Sequence, residues 1–319
     1  MQPCKRRLPA GSVIAVAPAA PRRNMKLMDA INPSANVTFA SRTPLHIGAV
    51  GLIVRDLDKV ADFYRDVIGL EVVERTNGTA RLGVGETTLV ELTHRADAKP
   101  DDARTAGLFH TAFLMPTRKD LAQWVVQVAR DRVPLSGYSD HAVSEAFYLD
   151  DPEGNGIEVY SDRPPETWEW TGDDLKITTD PLDVDDLLRV ADANGAYDGA
   201  PSGLRIGHMH LRVGNVATAE KFYTGPVGLN ITRTRGGAAF MSSGRYHHHL
   251  ATNIWHSNGA GPRDPDRAGL AWYSFEANDA ATRDAVAVKL RESGAPVTSI
   301  ANGFETQDPW RTRVRFVTP

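Results

Sequence analysis

The side chains best suited to chemistry in this sequence are histidines on three predicted strands. His110 lies in one run, His208 and His210 lie in a second, and a third run contains His247, His248 and His249. A neutral imidazole can bind a metal ion or carry a proton near neutral pH, so these positions favour metal-dependent or acid–base chemistry. A single histidine on a strand is more often a core or surface residue, so none is assigned by position alone.

Strand alternation narrows the choice only in part. Alternate residues of a strand share a face, which puts His208 and His210 together, so the spacing does not choose between them. The same rule predicts that His248 lies on the opposite face from His247 and His249. An imidazole among the apolar neighbours on that face would suit acid–base work.

Composition limits the kind of site and the kind of partner. Cys4 is the only cysteine among 319 residues, so no intramolecular disulfide can form, and a metal site must use His, Asp and Glu. This favours a reducing compartment, and we expect a cytoplasmic protein. A formal net charge of −4 argues against nucleic acid or an anionic membrane as partner. A small-molecule substrate is expected, and a homo-oligomer is compatible with the sequence.

The elements that must position these residues come from an internal repeat. The run at 47–54 reappears at 206–213, and each copy continues into a helical pattern that ends in Phe-Tyr and then Gly-Leu. Two strand-like runs follow each copy, at 79–84 and 87–93 in the first and at 238–242 and 247–255 in the second. The repeat predicts two copies of one unit, which consists of a strand, a helix and three further strands.

A second pair of units completes the pattern. Predicted helices at 118–130 and 280–292 each follow a strand, and each precedes an Asp-Pro turn into a last strand. The predicted fold is therefore α+β, with four βαβββ modules and mixed sheets curved into cups. We expect a disordered tail at 1–44, an N-terminal domain at 45–163, a linker at 164–204 with a short helix at 184–190, and a C-terminal domain at 205–319.

Four motifs make this chain resemble the catechol 2,3-dioxygenases of the vicinal oxygen chelate superfamily. They are GLFH at 107–110, DHAVSEAFY at 140–148, DPEGNGIE at 151–158 and YHHH at 246–249. The resemblance covers roughly residue 45 to the end. Because related proteins on this fold isomerise, epimerise, resist antibiotics or only bind, the site residues must decide the function.

The resemblance implies a ligand set. Superfamily metal ligands lie on the first strand of a module and at the end of its last strand. In modules one and four, these positions carry residues unlike those ligands: Ala49, Trp272 and Arg315. The counterparts in modules two and three are His110, Glu158 and His208, a set typical of ferrous iron that manganese could share. These two middle modules must then share one cup, whereas in the commoner related dioxygenases both ligand-bearing modules lie in the C-terminal half.

The resemblance also implies the groups that handle protons and anions. The run at 246–249 is similar to the His-His pair of extradiol enzymes, and the Leu-Ala that follows points to His248 as the acid–base group. His141 and Tyr148 resemble the residues that flank the bound catecholate and oxygen, although their separation differs slightly from the commoner enzymes. The alternatives without a catalytic role are a surface cluster for the histidines at 246–249 and an ordinary core position for Tyr148.

The implied function is an extradiol dioxygenase. With Fe²⁺, it would insert both atoms of O₂ into a catechol-type ring and open it next to the diol, giving a muconic semialdehyde. A glyoxalase-type isomerase or lyase is the alternative enzyme, and it usually needs more carboxylate ligands. Hydroquinones are alternative substrates, and a protein that only binds is the third class. Residues around Phe147 and Trp255 are expected to set the accepted ring substituents.

Overall fold

Each of the four repeats folds as a strand, a helix and three further strands, in the computed structural model that describes residues 38–193 and 195–319. Module one contains β1 (Leu45–Val54), α1 (Leu57–Phe63), β2 (Glu71–Arg75), β3 (Thr79–Val84) and β4 (Thr87–His94). Module two contains β5 (Gly107–Leu114), α2 (Arg118–Arg130), β6 (Gly137–Asp140), β7 (Ser144–Asp150) and β8 (Gly156–Asp162).

The linker and the second half of the chain contain the remaining strands and helices. The linker contains β9 (Trp170–Thr171), β10 (Asp174–Leu175) and α3 (Val184–Leu188). Module three contains β11 (Arg205–Arg212), α4 (Val216–Thr224), β12 (Asn230–Arg235), β13 (Ala238–Ser242) and β14 (Leu250–Asn253). Module four contains β15 (Gly269–Ala277), α5 (Ala280–Glu292), β16 (Thr298–Ile300), β17 (Gly303–Gln307) and β18 (Arg313–Val317). There are also two 3-10 turns among the described residues, at Ala40–Arg42 and Pro165–Thr167, and a π-helical turn directly after α1.

The module helices begin where the sequence supplies a side-chain cap. In every module, the residue before the helix accepts a hydrogen bond from the amide three positions later; these caps are Asp56, Thr117, Asn215 and Asp279. Such a cap contributes about 1 kcal/mol. The repeated Gly-Leu also has a structural cause, because Gly69 and Gly228 adopt φ of +87° and +84° in the turns after α1 and α4.

Two eight-stranded mixed sheets form the body of the protein, which confirms the predicted α+β fold. The first has the order β16-β17-β18-β15-β1-β4-β3-β2 and joins modules four and one. The second has the order β12-β13-β14-β11-β5-β8-β7-β6 and joins modules three and two. The two middle modules therefore share a sheet, as the ligand assignment requires. Since each sheet takes one module from each half of the sequence, the division into domains at 45–163 and 205–319 stays a prediction.

Helix α2 shows how the helices hold the second sheet. Leu121, Trp124, Val125 and Val128 are buried, at the spacing of one helical face. Burying a large apolar side chain contributes roughly 1.5–3 kcal/mol to the free energy of folding, so this face stabilises the packing of the helix on strands such as β8. Within the part of the chain described, no helix has both the length and the apolar character needed to span a bilayer.

Two local features differ from the sequence expectations. The expected disordered tail falls mostly on residues 1–37, outside the described residues, but residues 38–44 include the turn at Ala40–Arg42, and Thr43 is buried. The run at 247–255 is a strand only over Leu250–Asn253. Gly244 and Arg245 have φ of +66° and +61°, so the chain turns there and enters β14 late, and strand alternation does not describe the three histidines.

Candidate active site

His110, Glu158 and His208 meet at the centre of the second sheet. They lie on the adjacent strands β5, β8 and β11, and all three are buried. The strand register explains why they meet. Ala112 pairs with Glu158 on one side and with His208 on the other, and His110 lies two residues before Ala112 on the same face. Because Ala112 carries only a methyl group, the three larger side chains can approach one another.

The ligand atoms of these side chains point to a common position. His110 Nε2 lies 3.0 Å from Glu158 Oε2, His208 Nε2 lies 3.4 Å from the same oxygen, and the two Nε2 atoms are 3.4 Å apart. Metal–ligand bonds of about 2.1 Å at right angles put neighbouring ligand atoms about 3.0 Å apart. The cluster therefore fits one face of an octahedral metal ion.

The surroundings keep these groups in the forms that a metal ion needs. Burial lowers the pKa of His208, so its ring is neutral at pH 7 and offers a lone pair. Burial opposes ionisation of Glu158, but the contacts with His208 and His110 outweigh it and hold the pKa of this carboxyl well below its usual range. A neutral imidazole beside an ionised carboxylate is ready to bind a metal without releasing protons.

His248 lies directly beside this cluster and lines the same cavity. Its ring centroid is 4.1 Å from that of His208. Burial, followed by the neighbouring imidazoles, lowers the pKa of His248 well below its usual value. The ring is therefore neutral at pH 7, with one of its two nitrogens unprotonated.

A hydrogen-bonded chain determines which nitrogen of His248 carries the proton. Asp162 Oδ1 lies 2.9 Å from His247 Nε2, and His247 Nδ1 lies 2.8 Å from His248 Nδ1. A carboxylate oxygen accepts, so His247 Nε2 donates to Asp162; in that tautomer His247 Nδ1 accepts from His248 Nδ1. The unprotonated nitrogen of His248 is then Nε2. Asp162 and His247 had no assigned role in the sequence analysis; the available signal was Asp162 four residues after Glu158, on the same face of β8.

Tyr148 and His141 lie together on another wall of the cavity. Tyr148 pairs with Glu158 across β7 and β8, and its hydroxyl is 2.6 Å from His141 Nε2. His141 Nδ1 donates to the Thr178 carbonyl at 2.7 Å, so the Nε2 of a neutral His141 accepts from Tyr148. Burial, and then the charge of Glu158, raises the pKa of Tyr148 well above its usual value, so it stays a phenol.

The remaining wall is largely aromatic and includes His210, which strand spacing alone could not distinguish from His208 as a candidate ligand. His210 lines the cavity, pairs with His110 across the strands, and accepts a hydrogen bond from the Asn253 amide at 2.9 Å. Phe109 and Trp255 pack against its ring with centroids 4.7 and 5.4 Å away. Trp255 therefore lines the cavity as expected. Phe147 does not, because it packs in the core against Trp124 and Tyr138.

In the first sheet, the positions equivalent to the candidate ligands carry side chains that pack against each other. Arg315 lies opposite Ser274 on β15, as Glu158 lies opposite Ala112 on β5, so the register confirms the module alignment. The Arg315 guanidinium stacks over the Trp272 ring at 3.8 Å and bonds to Glu305 at 2.9 Å. A cation and an indole occupy the positions that carry Glu158 and His110 in the second sheet.

Comparison with known proteins agrees with this architecture. The family described as Glyoxalase/Bleomycin resistance protein/Dioxygenase superfamily matches residues 46–159 and 205–314. A protein named Catechol-2,3-dioxygenase from Bacillus subtilis (strain 168) is 36% identical over 269 residues, which cover 83% of this chain and 94% of that protein.

Solved structures extend the likeness in fold. Glyoxalase I from Zea mays has a TM-score of 0.53 and 15% identity, covering 88% of this chain and 94% of its own. The cppA protein from Streptococcus pneumoniae TIGR4 has a TM-score of 0.52 and 11% identity, covering 86% of this chain and 99% of its own. At these identities, the likeness concerns the fold alone.

Proposed function

Because the chain belongs to the Glyoxalase/Bleomycin resistance protein/Dioxygenase superfamily, we propose that it is an iron(II)-dependent extradiol dioxygenase. It inserts both atoms of O₂ into a catechol-type ring and opens the ring next to the diol, giving a muconic semialdehyde. The observation that carries this proposal is the buried cluster of His110, Glu158 and His208 facing an aromatic-lined cavity. The name of the 36% identical relative supports catechol as the substrate class.

His110, Glu158 and His208 would hold ferrous iron, and the same ligands would accept Mn²⁺. When bound, the metal supplies Lewis acidity and a path for electrons between the diol and oxygen. The protein supplies the surroundings of the metal: the ligands are buried, and Phe109, Phe240 and Trp255 line the cavity beside them.

His248 handles the protons in this proposal. Its Nε2 accepts the proton of the second catechol hydroxyl and returns it as the ring opens. Asp162 and His247 are positioning residues, since they hold His248 in the tautomer with a bare Nε2. Tyr148 and His141 are placed to hydrogen-bond to the charge that develops on the substrate oxygens.

Asp162→Asn tests the positioning chain. An asparagine amide can donate as well as accept, so His247 can reverse its tautomer and leave His248 with a protonated Nε2. We expect kcat to fall about 10- to 100-fold, with metal content and KM little changed. Steady-state kinetics beside metal analysis measures this, with the exposed Asp150→Asn as the matched control. A native kcat in Asp162→Asn would show that the chain does not set the tautomer.

Tyr148→Phe tests the anion-binding wall. The substitution removes one hydroxyl and its bond to His141, so we expect kcat to fall about 100-fold while the metal stays bound. Tyr197→Phe is the control, because it also removes a tyrosine hydroxyl bond, a part-buried one to the Ile68 carbonyl, from a residue that does not line the cavity. Equal rates for Tyr148→Phe and the control would remove Tyr148 from the reaction.

The glyoxalase-type alternative has less support. Such enzymes usually hold a redox-inert metal with more carboxylates, and among the described residues lining this cavity Glu158 is the single carboxylate. Hydroquinone cleavage uses the same ligand set, so it is distinguished by substrate rather than by structure.

The test is oxygen consumption by anaerobically purified protein whose metal has been quantified. We expect iron near one atom per chain, one O₂ consumed per catechol and a yellow ring-opened product. Oxygen uptake with hydroquinones but not with catechols would show that hydroquinones are the substrate class. Bound metal without oxygen uptake on either class would contradict the dioxygenase proposal and favour the isomerase.

A further inference from the structure

One arginine lies in the wall of the candidate active-site cavity. The cavity opens to solvent at its mouth and is walled by aromatic and imidazole rings beside the candidate metal cluster. Among the described residues that line it, Arg235 is the only lysine or arginine. The only carboxylate in the lining, Glu158, is engaged by His110 and His208. The cavity therefore has one permanent cation and no free anion to neutralise it.

The guanidinium of Arg235 is held in place without losing its charge. It ends β12, is exposed, and donates to the Ile177 carbonyl at 2.9 Å and to Thr179 Oγ1 at 3.3 Å. Both acceptors are neutral, and within the described residues Arg235 makes no ion pair. Arg233, two residues earlier, is instead paired with Asp174. An arginine with two neutral tethers keeps further N–H groups for a ligand.

Continuous contacts join this arginine to the metal cluster. Trp255 donates from Nε1 to the carbonyl of Gly236, the residue after Arg235, at 2.9 Å. The Trp255 ring also packs against His210 and Phe109, whose rings lie 4.8 and 5.3 Å from His110. One wall of the cavity therefore runs from the metal cluster through aromatic rings to the segment that carries Arg235, so the cluster and the cation border the same space.

We propose that Arg235 selects aromatic diols whose ring carries an anionic substituent, such as a carboxylate. The inference rests on the proposed function, because the diol end is bound at the metal cluster. A guanidinium binds a carboxylate through two parallel hydrogen bonds, and its charge at the mouth of a cavity also attracts anions from solution. The aromatic wall accommodates the ring between the two ends.

The test compares an acid with its own neutral ester. We would measure kcat/KM for 3,4-dihydroxybenzoate and for its methyl ester, and the Kd of each under anaerobic conditions. Wild-type protein should prefer the acid, and Arg235→Met should lower the acid-to-ester ratio of both quantities about tenfold or more. Added salt should lower the wild-type ratio in the same direction, since it screens the charge at the exposed guanidinium.

Arg233→Met is the matched control, because it removes another arginine that ties the linker to β12 but does not line the cavity. Its acid-to-ester ratio should equal that of wild type. If Arg235→Met weakens acid and ester equally, Arg235 only tethers the linker and the proposal is overturned. A wild-type protein that prefers the ester overturns it as well. If no diol is turned over, the proposed function fails, while the anaerobic Kd ratio still decides the role of Arg235.

Discussion

Glu158→Gln is expected to remove the bound metal and lower turnover about a thousandfold or more. Glutamine keeps the shape of the side chain but loses the negative charge, so two neutral imidazoles and an amide must hold a dication in a buried site. Losing the Lewis acid removes several kcal/mol of transition-state stabilisation, and each 1.36 kcal/mol corresponds to a factor of ten in rate. Metal analysis of the purified variant and its kcat with catechol measure the two effects.

The control for this substitution is Glu86→Gln, in the exposed turn between β3 and β4. Circular dichroism and Tm should show that both variants are folded, because the cluster lies on strands fixed by their neighbours in the sheet. A Glu158→Gln protein that retains full metal and native turnover would show that the carboxylate is not a ligand.

His248→Gln is expected to separate chemistry from metal binding. The ring is not one of the three converging ligand groups, so metal content should remain native. Losing the proton acceptor should lower kcat by about 100- to 10,000-fold. Metal content and kcat measured on the same preparation give the answer.

His256→Gln is the matched control, since His256 is exposed and close in sequence. Near-native kcat in His248→Gln would contradict the acid–base role. Loss of metal together with activity would indicate that His248 supports the ligands instead.

Much of the fold could be predicted because the sequence repeats itself. Helices at Arg118–Arg130 and Ala280–Glu292 have the predicted bounds, since their apolar spacing, their caps and their turns agree. The candidate ligand positions came from the resemblance to the superfamily, and the repeat supports their alignment, because the register that places Glu158 opposite Ala112 also places Arg315 opposite Ser274. Local pattern and module alignment therefore predict the fold, whereas the candidate cluster also depends on the resemblance to the superfamily.

The features that could not be predicted depend on contacts distant in sequence. Asp162 and His247 are 85 positions apart, and only the packing of the two middle modules brings them together. The Arg245 turn delays β14, so alternation does not give the orientation of His248. Phe147 matches a strand pattern equally well on either face, and its burial against Trp124 depends on the position of α2.

The most direct measurement is the fate of isotopically labelled oxygen. Metal-loaded protein is mixed with catechol under ¹⁸O₂, and the product is reduced at once with borohydride, so that the aldehyde oxygen cannot exchange with water. The proposed function predicts a ring-opened product that carries both labelled atoms, one in the carboxylate and one in the new alcohol. A product without label, or catechol recovered intact from protein with its full complement of metal, would contradict it.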